Sequence, residues 1–66
     1  MTSQEKIRGA IVAYLAKLPK GDHPGQGRIA KHVGARPHEV REALLILAHD
    51  GTIQHPKGRE RGWELA

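Results

Sequence analysis

Apolar residues recur at helical spacing in the first third of the chain, three and four residues apart, which places them on one side of an α-helix. These positions are Ile7, Ala10, Ile11, Tyr14, Leu15 and Leu18. The residues before them, TSQE at 2–5, have the form of a capping box, in which Thr2 caps a backbone N–H and Glu5 reaches back. Pro19 and Gly21 end the pattern. We therefore expect a first helix over about residues 3–18.

Two shorter amphipathic segments follow a connector rich in glycine and proline, residues 19–27. The connector lacks the Gly-Lys-Ser/Thr ending of a phosphate-binding loop, and no strand pattern precedes it, so we interpret it as a turn. The next segment, about residues 27–33, has Ile29, Ala30 and Val33 on one side, and Gly34 suits the left-handed conformation that ends a helix. Pro37 suits the first turn of a third helix over about residues 37–50. Its inward positions are Val40, Ala43, Leu44, Leu47 and Ala48. Together the two segments predict a helix-turn-helix.

The last fifteen or so residues alternate in polarity on either side of a mixed turn, residues 56–62. Ile53 before the turn, and Trp63 and Leu65 after it, can face the helices from the two strands of a hairpin. The pattern therefore predicts one α+β domain over residues 1–66. It has three helices followed by a C-terminal two-stranded β-hairpin wing over about residues 52–66, which is a winged helix-turn-helix.

The second half of the chain, GRIAKHVGARPHEVREALLILAHDGTIQHPKGRERGWELA, resembles the winged helix-turn-helix superfamily, in particular small regulators of bacteria, plasmids and phages. The resemblance implies double-stranded DNA as the partner, with the third helix in the major groove. It also implies that the wing contacts the backbone or the minor groove. The chain is similar in its proportions to the winged helix that orients bacterial DNA translocases on their loading sequences.

A narrower resemblance is to the Zα domains, winged helices that bind left-handed nucleic acid. The shared features are the length, a helix similar to EVREALLILAHDG and a tryptophan four residues from the end, here Trp63. Zα domains also use an asparagine and a tyrosine on the recognition helix, whose positions are held here by Arg41 and Leu45. Their wing prolines are replaced by the sequence ERG at 60–62, so Trp63 is the one position of this set that is shared.

The charge distribution also favours a polyanionic partner. Eleven Lys and Arg residues against seven Asp and Glu give a net charge of +4. Positive charge is concentrated in residues 20–41 and again in residues 56–62, whereas residues 42–55 carry only Glu42 and Asp50. Basic stretches of this kind are the electrostatic signature of nucleic-acid binding.

Several other classes of function have no support in the sequence. The chain has no cysteine, and its five histidines have no zinc-like spacing, so we expect no metal and no cofactor. The only serine lies at a helix start and no paired carboxylates share a cleft, so we predict that the protein is not an enzyme. No small-molecule ligand is evident. Without a signal peptide or an apolar run of about 20 residues, we expect no membrane association and a cytoplasmic, nucleoid-associated protein.

The third helix presents the candidate base contacts on the side opposite its apolar stripe. They are His38, Arg41, Glu42 and Leu45. Arg41 can pair with guanine and Glu42 can accept from cytosine, although both also suit a solvated helix face. Leu45 can contact a thymine methyl, lie at the edge of the core or lie in a dimer contact, and we favour the last two. The candidate backbone contacts are Arg28, Lys31, Arg36, Lys57, Arg59, Arg61 and Trp63. Trp63 is first of all an anchor of the hairpin on the helices, whose indole N–H can also reach a phosphate.

The sequence thus favours a sequence-specific duplex DNA binder, most simply a small transcriptional regulator. The alternative of a different class is a winged helix that binds another protein, which Leu45, Ile46 and Glu42 on the exposed side of the third helix support. A DNA-orienting domain of a larger protein and a binder of Z-form nucleic acid remain further alternatives, and a homodimer is left open.

Overall fold

The computed structural model describes residues 3–58 and 61–66. The elements in chain order are α1 (Gln4–Lys17), α2 (Gln26–Val33), α3 (Pro37–His49), β1 (Ile53–Gln54) and β2 (Glu64–Leu65). The bounds of each helix differ from the expected ones by at most one residue. The predicted fold class is confirmed, since three helices are followed by a two-stranded antiparallel hairpin. Within the described residues, no helix is long and apolar enough to cross a membrane.

The start of α1 differs in detail from the predicted capping box. The N-cap is Ser3, whose hydroxyl oxygen accepts a hydrogen bond from the backbone N–H of Lys6 at 3.3 Å. A serine at this position satisfies one of the backbone donors that a helix start leaves free. Thr2, the expected cap, lies outside the described residues.

Each helix contributes one apolar face to a single core. Its buried members are Ile7, Ile11, Tyr14, Leu15, Ile29, Ala30, Val40, Ala43, Leu44, Leu47 and Ile53. Nearly all of these follow the predicted stripes. Ala10 was expected in the stripe of α1 but is exposed, because it lies on the flank of the stripe, one residue before Ile11 and so about 100° around the helix.

The joint between α2 and α3 is built by local backbone geometry. Gly34 has φ of 71°, and its N–H donates to the carbonyl of Ala30 at 3.0 Å, which ends α2. A left-handed residue at a helix end favours glycine because other residues are strained there. The side-chain carboxylate of Glu39 accepts from the N–H of Arg36 at 3.2 Å at the start of α3. These contacts fix the short turn that sets the angle between the two helices.

The hairpin formed by β1, β2 and the turn between them is called the wing below. Its register pairs Ile53 with Leu65 and Gln54 with Glu64. Ile53 is buried in the core, whereas on the outer side the amide nitrogen of Gln54 donates to the carboxylate of Glu64 at 2.8 Å. The wing therefore closes one edge of the helical core with its apolar side.

Candidate nucleic-acid interface

The base of the wing is attached to the loop between α1 and α2, residues 18–25. The N–H of Trp63 donates to the carbonyl of Pro24 at 3.0 Å. The two chain neighbours of Trp63 also contact this loop. The Nε2 atom of His23 lies 3.1 Å from a carboxylate oxygen of Glu64. A Cβ added to Gly62 would lie 2.6 Å from the carbonyl oxygen of His23. The connector that composition identified only as a turn is therefore also the support on which the wing rests.

Trp63 and His55 form a stacked pair beside this attachment. Their ring centroids are 3.9 Å apart with an angle of 28° between the ring planes. The indole also packs against the core, as expected for the anchor of the hairpin. The Nδ1 atom of His55 lies 2.8 Å from the carbonyl oxygen of Gly62. Histidine and tryptophan thus hold each other in place at the base of the wing.

The four candidate base contacts on α3, His38, Arg41, Glu42 and Leu45, are all exposed. They lie on the side of the helix opposite the buried residues of α3, as the periodicity predicted. Leu45 is 59% exposed, so the edge of the core does not account for it. Together with Ile46, which is 37% exposed, it lines a shallow surface depression near the end of α3.

Arg28 differs from the other candidate backbone contacts because it is already paired. Its two terminal nitrogens donate to the two carboxylate oxygens of Asp22 at 2.6 and 2.7 Å. The hydrogen bond from Arg28 lowers the pKa of Asp22 below its usual value, and the same contact raises the pKa of Arg28. Arg28 therefore joins α2 to the α1–α2 loop, and its expected contact with a phosphate stays a prediction.

The other described cations of the candidate set are exposed and form no ion pair with another described residue. They are Lys31 near the end of α2, Arg36 in the turn, Arg41 on α3, and Lys57 and Arg61 on the wing. Arg59 lies outside the described residues, so its role stays a prediction. Among the described residues, positive charge without an ion-pair partner is thus found on the helix-turn-helix and on the wing, where a polyanion could neutralise it.

Two residues of this region were not among the sequence-based candidates, His23 and His55. These two histidines were considered only as metal ligands, and neither fits that chemistry. A signal for His55 was present in the hairpin register. Once Ile53 is opposite Leu65, His55 is opposite Trp63, and an aromatic cross-strand pair is a common stabilising contact. No comparable pattern links His23 to Glu64, because their contact depends on the path of the α1–α2 loop.

No family model and no curated protein matches the sequence. Among solved structures, the chain is similar to the Zα domain of ORF112 from Cyprinid Herpesvirus 3, in a structure of its binding mode to Z-DNA. The two chains are 26% identical, the similarity covers 100% of both, and the TM-score is 0.75. The element order, the hairpin register and the similarity over the whole length all indicate the same fold. The chain therefore has the winged helix-turn-helix fold.

Proposed function

We propose that this protein binds double-stranded DNA in a sequence-specific manner, as a small transcriptional regulator, with α3 in the major groove and the wing on the backbone or in the minor groove. The observation that carries the proposal is the exposed side of α3. It presents three polar side chains, His38, Arg41 and Glu42, in the first half of the helix. The N-terminal residues of a recognition helix are those that reach deepest into the groove.

The cations around α3 support the same interpretation. Lys31 and Arg36 lie just before this helix in the chain, and Lys57 and Arg61 lie on the wing that follows it. Contacts from such residues to phosphates set the register and the orientation of a protein on a duplex, whereas contacts to base edges give specificity. Arg41 is the residue best suited to the second task, since its guanidinium can form two hydrogen bonds to guanine.

A second candidate is binding to the left-handed Z form, which the similarity to a domain whose structure concerns Z-DNA favours. Trp63, the residue shared with the Zα pattern, lies at the base of the wing. The residues at the asparagine and tyrosine positions of that pattern, Arg41 and Leu45, are both exposed on α3. An arginine can contact the backbone of either helical form, so the choice between the two forms depends on direct comparison.

The two forms can be compared in one titration series. The labelled probes are a pool of random B-form duplexes, the duplex enriched from that pool by selection, and an alternating CG duplex kept in the Z form by cytosine methylation. Circular dichroism identifies the form of each probe. We expect the selected B-form duplex to bind more tightly than the pool by at least about 10³, the lower end for specific DNA binders. Preferential binding of the CG duplex in its Z form would replace the first candidate with the second.

Substitution of individual cations then tests which surface binds. If about six phosphates are neutralised, log K should fall with log salt concentration with a slope of roughly −5. Lys57→Ala should make this slope less steep by about one for every duplex, because a phosphate contact is independent of sequence. Arg41→Ala should instead reduce the preference for the selected sequence, by about 1–3 kcal/mol. Lys17→Ala, on the last turn of α1, removes the same charge outside the proposed surface and is the matched control.

The protein-interaction alternative is favoured by one observation, the exposure of Leu45 and Ile46 on α3. This alternative predicts results in the same experiments that differ from those expected for DNA binding. Affinity that stays at micromolar or weaker for every duplex at low salt, and that Arg41→Ala leaves unchanged, would refute DNA binding. Amide shifts on α3 that respond to a protein partner and not to DNA would then support the alternative.

A further inference from the structure

At the base of the wing, a contact with Gly62 determines which nitrogen of the His55 imidazole carries the hydrogen when the ring is neutral. Its Nδ1 atom lies 2.8 Å from the carbonyl oxygen of Gly62. A carbonyl oxygen only accepts hydrogen bonds, so Nδ1 must carry a hydrogen. In the neutral ring the other nitrogen, Nε2, therefore has a lone pair and no hydrogen. A neutral His55 can donate nothing to a phosphate from Nε2, whereas the protonated ring has both a second N–H and a positive charge.

The imidazole of His55 is stacked on the indole of Trp63. The imidazole lies with its centroid 3.9 Å from that of the indole, and the face of an aromatic ring attracts a cation at this range. His55 is exposed, and Nε2 has no hydrogen-bond partner among the described residues. The ring therefore has a fixed position, a support that stabilises its charge, and one nitrogen available to a ligand.

Two cations, a carboxylate and a second histidine lie on the elements around His55. Lys57 lies two residues after His55, Arg61 precedes Gly62, and Glu64 on β2 contacts His23 of the α1–α2 loop. The carboxylate of Glu64 is shared between Gln54 and His23, and neither Lys57 nor Arg61 forms an ion pair with another described residue. A phosphate bound beside His55 would favour the charged form of the imidazole.

We propose that His55 is a phosphate contact of the wing and that it takes up a proton when nucleic acid binds. The inference rests on the proposed function, because it needs a phosphate at the wing. Bound protein then carries more protons than free protein, so the affinity is highest at acidic pH and is lost as the pH rises through the range in which histidine titrates. The base of the wing thus couples nucleic-acid binding to pH.

The test compares pH dependence among matched variants. Fluorescence anisotropy titrations of the best duplex, at constant ionic strength from about pH 8 to pH 5.5, are made with the parent protein and three variants. His55→Gln keeps a donor for Gly62 without a titrating group, and His55→Phe keeps the stack on Trp63. His32→Gln is the control, because His32 is also an exposed histidine on an aromatic ring, Tyr14, with centroids 3.8 Å apart.

We expect the affinity of the parent and of the His32 variant to rise roughly tenfold more, over this range, than the affinity of either His55 variant. The single tryptophan, Trp63, reports the same event directly, since a protonated imidazole quenches the fluorescence of an indole on which it stacks. In the parent protein, the quenching should set in at higher pH when the duplex is present. Both His55 variants should lose this pH-dependent change, whereas a purely structural role of His55 would alter the fluorescence without altering the pH dependence of binding.

The outcomes separate the inference from the proposed function. If the parent protein binds duplex and both His55 variants show its full pH dependence, the inference is overturned and duplex binding stands. If the parent protein binds no duplex in either helical form, the proposed function fails and the inference fails with it. Thermal unfolding of each variant at both ends of the pH range identifies any loss of affinity that comes from unfolding.

Discussion

The attachment of the wing can be measured with two glycines of the same hairpin. Gly58 and Gly62 have nearly the same left-handed backbone, with φ of 80° and 85°. They differ in their surroundings: a Cβ on Gly58 would have no atom within 4 Å, whereas one on Gly62 would lie 2.6 Å from the carbonyl oxygen of His23. Alanine at either position carries the conformational cost, about 1 kcal/mol, so the difference between the two variants isolates the contact at the wing base.

The magnitude follows from what Gly62→Ala must displace. Since a contact of 2.6 Å with backbone is shorter than real Cβ contacts, the wing and the α1–α2 loop must separate. This separation would lengthen or break the hydrogen bond from the N–H of Trp63 to the carbonyl of Pro24, at 3.0 Å. Such a bond contributes about 1 kcal/mol. Looser packing of the indole adds to the loss, so we expect Gly62→Ala to cost about 2–4 kcal/mol in total. A domain of this size has only about 3–5 kcal/mol of net stability, so the variant should be partly unfolded at room temperature.

The assay is urea unfolding followed by both far-ultraviolet circular dichroism and the fluorescence of Trp63. Gly58→Ala should shift the free energy of unfolding by about 1 kcal/mol, and Gly62→Ala by at least about 1 kcal/mol more. Equal effects of the two substitutions would show that the close approach at the wing base contributes nothing to stability, and would refute the reasoning.

Three further predictions concern the core, an ion pair and the helix joint. Ile11→Ala, which truncates a fully buried side chain, should cost about 2–5 kcal/mol in urea unfolding, whereas Leu45→Ala on exposed α3 should change stability by less than about 0.5 kcal/mol. Because Arg28 lowers the pKa of Asp22, the pair stabilises the fold at neutral pH and this contribution is lost as the pH falls through the acidic range in which Asp22 is protonated. Asp22→Asn should therefore reduce the difference between the melting temperatures at neutral and acidic pH, and an unchanged difference would contradict this. Gly34→Ala, at φ of 71° with open space around it, should lower the free energy of unfolding by about 1 kcal/mol. An unchanged free energy of unfolding would contradict this and would mean that the backbone of the α2–α3 turn adjusts to the alanine.

The parts of the fold that sequence could predict are those set by local periodicity. The stripes that contain Ile11 and Leu44 identify the two longer helices, and Gly34 identifies the turn between the second and third, because each signal lies within a few residues. The exposed side of α3 followed from the same periodicity, so its candidate contacts could be named in advance. The spacing placed Leu45 on that side without showing what it contacts, and its exposure shows only that it lies outside the core.

The support of the wing could not be predicted because it depends on contacts between distant segments. His23 and Pro24 were part of a segment whose glycines and prolines indicate only a turn, and nothing in that composition says where the turn packs. The pairing of Arg28 with Asp22 was missed for the same reason. Charge counting treats every arginine as available to a phosphate, whereas the path of the α1–α2 loop brings a carboxylate to this one.

The attachment of the wing also has a consequence for the order in which the molecule folds. Gly62 and His23 are about forty residues apart in the chain, so their contact closes one of the longest loops in the fold and carries a correspondingly large entropic cost. The helices and the α2–α3 turn depend on near neighbours and can form first, in the microsecond to millisecond range typical of local contacts. We therefore expect the wing to dock last and to undock first, which makes the segment that holds Trp63 the rate-determining part of both refolding and unfolding.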